Sequence, residues 1–208
     1  LNSFLDVNNG DYIEFIFPGI IAMTILMTSM FSGISVIWDK QFGFMKEMLV
    51  APVSRTKVMI GKTLGGATTA VFQGFLIFII AILIGVRVQS LYGFLIAASI
   101  MALVGISFTA LGISFASKME DMQAFPLVMN FVVMPMFFLS GALFPLDGIP
   151  KILKYIAFMD PLTYGVDALR YGLIGIGHIP LWIDFSVLIG FSILAISIGS
   201  YLFSRADA

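Results

Sequence analysis

The sequence predicts an all-α membrane protein, a polytopic helical bundle with five transmembrane helices in a single domain spanning residues 1–208. Its 208 residues are 60% hydrophobic and 11% charged, and the mean hydropathy is +1.05. A soluble domain has about 25% charged residues, so this chain has too few charges to cover a surface that faces water. The charges it does have separate long apolar stretches, which give the positions of the helices.

A helix that spans a bilayer needs about 20 mainly apolar residues. Five stretches without Asp, Glu, Lys or Arg meet this requirement, and they predict spans near 17–37, 63–85, 91–116, 122–144 and 185–204. The stretch 145–184 mixes charges with apolar residues, so it is too polar to span and too apolar to be a free loop. We interpret it as an external helical hairpin, re-entrant in character, that dips part-way into the outer leaflet.

The distribution of basic residues predicts the orientation. Most of the Lys and Arg residues lie in the segment 39–62, in the loop 117–121 and in the C-terminal tail, whereas the first 14 residues contain only acidic charges. Because short cytoplasmic loops are enriched in Lys and Arg, we expect the segment 39–62 and the C-terminus to be cytoplasmic and the N-terminus as given to be external, in a multi-pass protein of the cell membrane. The net charge of −1 does not favour a nucleic-acid partner.

The segment "DKQFGFMKEMLVA" (Asp39–Ala51) has the pattern of a short amphipathic helix. Phe42, Met45 and Leu49 share one helical face, Asp39 is a candidate N-cap, and Pro52 ends the helix. One interpretation is an interfacial anchor on the bilayer. The other is a docking helix for a cytoplasmic partner, because acidic residues are mixed with the basic ones on its polar face.

The "GKT" at Gly61–Thr63 matches only the end of a phosphate-binding loop. The full motif requires a glycine five residues before Gly61, because that glycine lets the backbone turn around the phosphates. Thr56 occupies this position, and a membrane span follows at once. We therefore interpret Lys62 as an interfacial anchor and expect no cofactor on this chain. Cysteine is absent, and the single histidine, His178, has no second ligand at metal-binding spacing, so no metal site is predicted.

Polar side chains inside the predicted spans are candidates for a substrate path. Thr28, Ser32 and Ser35 share one face of the first span, and Asn130 lies in the middle of the fourth. Intramembrane polar groups are often functional, but Ser and Thr also bond back to helix carbonyls and Asn joins helices together. Both interpretations remain open.

Within the external hairpin, Asp160 is a candidate cap for a second helix with Pro161 at its first position. Asp167 and Arg170 stand at spacing i, i+3, where they can pair on one helical face. The alternative is that the hairpin is an external cap without a role in substrate handling.

Two separated motifs resemble those of ABC type-2 permeases, in the branch that includes daunorubicin-resistance and nodulation-type exporters. The first is "WDKQFGFMKEMLVAPVSRTKVMIGK" (Trp38–Lys62), with its basic residue before an aromatic–Gly pair and its "LVAPVSR". The second is "LSGALFPLDGIPKILKYIAFMDPLTYGVDALR" (Leu139–Arg170). Gln41 and Phe44 depart from the family, in which an acidic residue and a Thr are common around the loop glycine.

The resemblance implies a permease subunit of an ATP-driven exporter, without an ATPase site of its own. It implies two partners in the bilayer and cytoplasm: a second permease copy, most simply a homodimer, and a separate ATPase that binds ATP and Mg²⁺. Family members have six spans, so we expect a first helix upstream of residue 1. The resemblance implies a substrate that is a drug, a lipid or a polysaccharide-like molecule. The alternative function is a structural or assembly subunit that transports nothing. The residues that the resemblance assigns to ATPase docking are Lys40, Phe42, Gly43, Met45, Lys46, Glu47, Leu49, Pro52 and Arg55.

Overall fold

The computed structural model describes residues 9–44, 53–85, 90–146 and 150–204. Within these ranges the regular structure is helical and contains no strand, which confirms the predicted fold class. The helices are α1 (Asn9–Ser32), α2 (Ile34–Gln41), α3 (Arg55–Ile84), α4 (Leu91–Ala116), α5 (Ala124–Leu139), α6 (Lys151–Met159), α7 (Pro161–Ile174) and α8 (Leu181–Ser204).

Four helical stretches in the described part of the chain are long and apolar enough to cross a membrane: Glu14–Gln41, Arg55–Ile84, Leu91–Ala116 and Leu181–Ser204. The structure is therefore that of a polytopic helical membrane protein. Helix α5 is apolar but has only 16 residues. At 1.5 Å per residue it is about 24 Å long, less than the roughly 30 Å of a hydrocarbon core. The span predicted at 122–144 stays a prediction.

Helix α3 begins at Arg55 and not at the predicted residue 63. Lys and Arg are good helix formers, so the helix continues past the end of the apolar stretch. Arg55, Lys57 and Lys62 therefore lie on a helix, where the sequence predicts a loop. By contrast, α4 runs from Leu91 to Ala116, the same bounds as the predicted third span.

Helix α4 is the centre of the bundle and packs against α1, α3, α7 and α8. Its contact with α7 is backbone against backbone, because Gly93 and Gly172 face each other: a Cβ atom added to Gly172 would lie 2.7 Å from the carbonyl oxygen of Gly93. Its contact with α8 includes a buried hydrogen bond of 2.6 Å between the hydroxyls of Ser107 and Ser192. Small residues thus bring these helices close together within one chain.

The two helices of the hairpin meet at Asp160. Its carboxylate accepts a hydrogen bond of 2.9 Å from the amide of Leu162, and Pro161 occupies the first position of α7. The predicted cap is thereby confirmed. The depth of the hairpin in the bilayer stays a prediction.

Candidate functional site

The charged segment singled out by the sequence lies at one end of the bundle, which we call the basic end: the C-terminus of α2, residues 53–62, the loop 117–123 and the C-terminus of α8. An ion pair between Lys62 and Asp39 joins α3 to α2 at this end. Both side chains are largely buried, with relative exposures of 18% and 16%. Lys40 Nζ donates a hydrogen bond of 2.7 Å to the carbonyl of Ser117, so α2 is also tied to the loop after α4.

Two further hydrogen bonds brace the basic end. The side-chain amide of Gln41 donates to the carbonyl of Glu120 at 2.9 Å, a second bond between α2 and the loop after α4. The Arg55 guanidinium donates to the carbonyl of Ser204, which connects the start of α3 to the last residue of α8. Segments far apart in sequence are therefore held together at this end as one cross-braced unit.

Helix α2 stops at a glycine turn. Gly43 has φ +81°, a left-handed conformation that glycine adopts without steric cost, and the amide of Phe42 closes the helix on the carbonyl of Trp38. Asp39 therefore lies inside α2, and its prediction as the N-cap of a helix over 39–51 is wrong. Two aromatic rings flank the turn in exposed positions, Phe42 at 69% and Phe44 at 53%.

The structure brings together the described members of the predicted docking set, Lys40, Phe42, Gly43 and Arg55, at the basic end. The other members, Met45, Lys46, Glu47, Leu49 and Pro52, lie outside the described residues. The side chains of Lys40 and Arg55 donate hydrogen bonds that hold the basic end together, whereas the aromatic rings beside Gly43 remain exposed. Any partner that docks here therefore meets an apolar surface on a braced base.

The four residues of the predicted substrate path lie in different surroundings, three on α1 and α2 and one on α5. Thr28 donates a hydrogen bond to the side chain of Gln73, which joins α1 to α3. Ser32 donates to the carbonyl of Ser29 at 2.7 Å, as Ser residues commonly do within helices, and Ser35 is half-buried. Asn130 is exposed on α5. The hydrogen bond of Thr28 joins two helices and that of Ser32 stays within one helix, and a substrate path along these residues stays a prediction.

Gln73 joins α3 to α1 through its side chain, and it is not among the residues predicted from the sequence. An amide in the middle of an apolar span is unusual and commonly bonds a neighbouring helix, so this signal was available. The bond to Thr28 depends on how α1 and α3 align, which the sequence does not state.

At the opposite end of the bundle, which we call the hairpin end, Asp167 and Arg170 do not pair with each other, and that prediction is wrong. The Asp167 carboxylate accepts hydrogen bonds from the amides of His178, at 3.0 and 3.1 Å, and Ile179, at 2.9 Å. Arg170 Nη2 donates to the carbonyl of Gly141 at 3.1 Å. Each side chain thus forms hydrogen bonds with backbone groups of a loop, which would otherwise lack hydrogen-bond partners.

The Arg170 guanidinium also stacks on α1, with its Cζ atom 3.9 Å from the centre of the Phe15 ring. Such a cation–π contact stabilises a cation that has left water. Arg170 therefore ties α7 both to the turn after α5 and to α1.

Two other carboxylates of the hairpin end are buried. Burial raises the pKa of Asp160 to about 7, against the opposing effect of the hydrogen bond from Leu162. Asp184, the residue directly before the predicted span 185–204, lies inside α8 and is fully buried. Neither of its carboxylate oxygens has a hydrogen-bond partner among the described residues, which is a costly arrangement for a charged group.

This architecture of long apolar helices around a central helix, with a charged, braced end, defines a membrane-embedded helical protein. Residues 2–174 match the model of the ABC-2 type transporter family. The chain therefore belongs to that family, as a permease.

Known relatives are distant in sequence but similar over most of this chain. It is 28% identical over 190 residues to the inner membrane transport permease YadH of Escherichia coli (strain K12), covering 89% of this chain and 72% of that protein. It is 28% identical over 194 residues to the ycf38 protein of Cyanophora paradoxa, covering 93% and 66%. Nodulation protein J of Rhizobium leguminosarum bv. viciae is 28% identical over 171 residues, covering 81% and 65%. The chain thus spans about two thirds of the length of these relatives.

Proposed function

We propose that this chain is the membrane-spanning permease subunit of an ATP-binding-cassette exporter, which moves a drug, lipid or polysaccharide-like substrate across the cell membrane. Membership of the ABC-2 type transporter family supports this proposal. A separate ATPase subunit binds ATP and Mg²⁺ in this proposal, and a second permease copy completes the pathway. The Thr at position 56, where a phosphate-binding loop needs glycine, agrees with an ATP site on another chain.

The observation that carries the proposal is the pair of exposed aromatic rings on the braced basic end. Large apolar side chains that are exposed next to charged groups are typical of protein-binding surfaces. Phe42 and Phe44 flank a turn whose base is held by the Lys62–Asp39 ion pair and the Lys40–Ser117 hydrogen bond. In the proposed complex this end faces the cytoplasm, as the positive-inside rule predicts.

The bracing also supplies a route for mechanical force. An ATPase that closes on ATP transmits its motion only through a stiff element, since a loose loop would absorb the displacement. A push on the turn after α2 acts on α3 through Asp39 and Lys62, and on α8 through Arg55 and Ser204. Helices α2, α3 and α8, which reach the basic end, therefore move with the docked partner.

The test compares two identical substitutions at opposite ends of the chain. Phe42→Ser removes an aromatic ring that is 69% exposed at the basic end, and Phe144→Ser removes one that is 62% exposed at the hairpin end. Burying a large apolar side chain contributes roughly 1.5–3 kcal/mol, so we expect Phe42→Ser to weaken ATPase binding by about tenfold or more. Phe144→Ser should leave it unchanged. The measurement is co-purification and titration of the ATPase with the purified permease.

Leu49→Asp tests the remainder of the docking segment. It places a carboxylate on the predicted apolar face, and burying that charge without a partner is costly. We expect loss of substrate-stimulated ATP hydrolysis while the permease still inserts into the membrane. Equal ATPase binding by wild type, Phe42→Ser and Leu49→Asp would refute docking at this end. ATPase binding without transport of any substrate would favour the alternative, a structural subunit.

A further inference from the structure

One face of α5 is exposed and carries an amide among apolar side chains. The helix runs between the basic end and the hairpin end and packs against α1. Its buried side contains Phe125, Met129, Val133 and Phe137. Its exposed side contains five residues at spacings of three and four, which we call the α5 stripe: Leu127, Asn130, Phe131, Met134 and Phe138. Residues at these spacings are neighbours on a helix surface, so the stripe is continuous.

Asn130 is poorly suited to contact with lipid. It is the seventh of the 16 residues of α5, about 9 Å along the helix axis from the first. This inference rests on the proposed permease, in which the basic end and the hairpin end lie on opposite sides of the bilayer. The middle of α5 then lies in the hydrocarbon core, where lipid tails offer no hydrogen bonds and an unsatisfied amide is costly.

Other polar side chains exposed in the middle of the long helices have partners within the chain. Five hydroxyls donate to the carbonyl four residues earlier in their own helix, those of Thr68, Thr69, Ser99, Ser186 and Ser197. Gln73 is bonded to Thr28. The Asn130 amide, by contrast, has no hydrogen-bond partner among the described residues. It therefore needs a partner from outside the described chain.

Pro135 adds a second polar group to the same side of α5. It lies inside the helix and has no amide proton, so the carbonyl of Phe131, four residues earlier, loses its usual helical donor. Phe131 and Pro135 are both exposed. The α5 stripe thus presents an amide and a backbone acceptor to whatever covers it, and a purely apolar cover satisfies neither of them.

We propose that the α5 stripe is the contact between two copies of this chain, with the Asn130 amides of the two copies hydrogen-bonded to each other. Two copies inserted in the same orientation are related by a two-fold axis along the membrane normal, so each residue lies at the same depth in both. An amide both donates and accepts hydrogen bonds. Asn130 therefore meets a complementary group in its own copy, and a single Asn within an apolar seam is a known determinant of helix pairing.

The exposed area of the stripe is sufficient for such a contact. Leu127 is 73% exposed and Phe131 is 82% exposed, with smaller fractions for Met134 and Phe138. A large aromatic side chain buries about 150–250 Å², so the stripe offers on the order of 500 Å² of apolar surface per chain. Two copies would together bury about 1,000 Å², the area from which a specific interface is expected.

The first experiment is oxidative cross-linking of single cysteines in native membranes, because the chain contains no cysteine of its own. Leu127→Cys and Met134→Cys place the thiol on the α5 stripe. Phe72→Cys on α3 and Ile193→Cys on α8 are the matched controls, at side chains that are also exposed on apolar helices. We expect cross-linked dimers from the two stripe positions and none from the two controls.

The second experiment measures the dissociation constant of the pair by energy transfer between labelled chains diluted in phosphatidylcholine liposomes. Asn130→Leu keeps the apolar area and removes the amide, so we expect it to weaken the pair by about threefold to tenfold, the effect of an interhelical hydrogen bond in a membrane. Asn130→Gln keeps an amide and should retain most of the affinity. Gln73→Leu removes an amide that is bonded within the chain and should leave the affinity unchanged.

Three results would overturn the proposal. Cross-linking at Phe72→Cys or Ile193→Cys but not at the α5 stripe would place the second copy on another face. Equal dissociation constants for wild type and Asn130→Leu would show that the amide faces lipid or another protein. Absence of any dimer of the wild type would exclude the contact altogether. Neither experiment contains an ATPase, so each of these results leaves the docking of the ATPase at the basic end to its own test.

Discussion

Replacing Gly172 by alanine should weaken the packing of the hairpin against the bundle. Gly172 lies on α7 where its backbone meets that of Gly93 on α4. The added Cβ atom would lie 2.7 Å from the carbonyl oxygen of Gly93 and 3.1 Å from the amide nitrogen of Ala97. Ordinary contact begins at 3.4 Å, so the first distance is about 0.7 Å too short. Both neighbouring atoms belong to backbone, and no side-chain rotation relieves the clash.

The magnitude follows from two opposing effects. Overpacking of a well-packed interior typically costs about 1–3 kcal/mol. A clash against two backbone atoms belongs to the upper part of that range, because whole helices must shift. The better helix propensity of alanine returns up to about 1 kcal/mol. We therefore expect Gly172→Ala to lower the free energy of unfolding by roughly 1–2 kcal/mol.

The assay is equilibrium unfolding of the purified chain in detergent micelles, followed by loss of helical circular dichroism. Gly190→Ala on α8 is the matched control, because nothing lies within 4 Å of a Cβ atom there. The same substitution should stabilise that helix by about 0.5–1 kcal/mol. The two variants should thus change stability in opposite directions. If Gly172→Ala is as stable as Gly190→Ala, the close approach of α4 and α7 is not a determinant of stability.

Two other predictions concern polar groups of the bundle. Burial raises the pKa of Asp160 from 3.8 to about 7, so the native state holds the carboxyl proton more tightly than the unfolded chain does. The free energy of unfolding should therefore fall as the pH rises from about 4 to 7. Thermal melts between pH 4 and 8 should show this fall in wild type and a smaller fall in Asp160→Asn, whose side chain still caps the helix. Ser107→Ala and Ser192→Ala should each lower the free energy of unfolding by about 0.5–1.5 kcal/mol. The double variant should lose less than the sum of the two, because both substitutions remove the same hydrogen bond. Additive losses in a double-mutant cycle would contradict this.

The sequence predicted best the features that depend on local chemistry. The bounds of α4 follow from the charges at Arg87 and Lys118, and the cap at Asp160 follows from a short motif whose partners lie within two residues. The hairpin as a pair of helices follows from the same Asp–Pro step. Each of these is determined by the identity of neighbouring residues, and no knowledge of the packing is required.

The predictions that were wrong depended on distant contacts. Asp167 and Arg170 have the spacing of an ion pair, but the Asp167 carboxylate accepts hydrogen bonds from the backbone amides of the loop at His178 instead. Asp39 has the chemistry of an N-cap, but α2 starts before it and continues through it to Gln41, and its carboxylate pairs with Lys62 of α3. Periodicity places residues on a face of a helix, and it does not say which backbone groups of another segment arrive at that face.

The two ends of the chain are connected through α1 and α2, and this connection links the proposed docking to the hairpin. The stretch Glu14–Gln41 carries Phe15 at one end and Asp39 at the other. Phe15 contacts the guanidinium of Arg170, and Asp39 pairs with Lys62. If an ATPase tilts the basic end as proposed, α1 and α2 carry that tilt to the ring under Arg170, because the junction between them at Gly33 lies against the backbone of Gly112 on α4 and has little room to bend. In the proposed transporter, the contacts of Arg170 with Phe15 and with the carbonyl of Gly141 would then change with the nucleotide state of the ATPase.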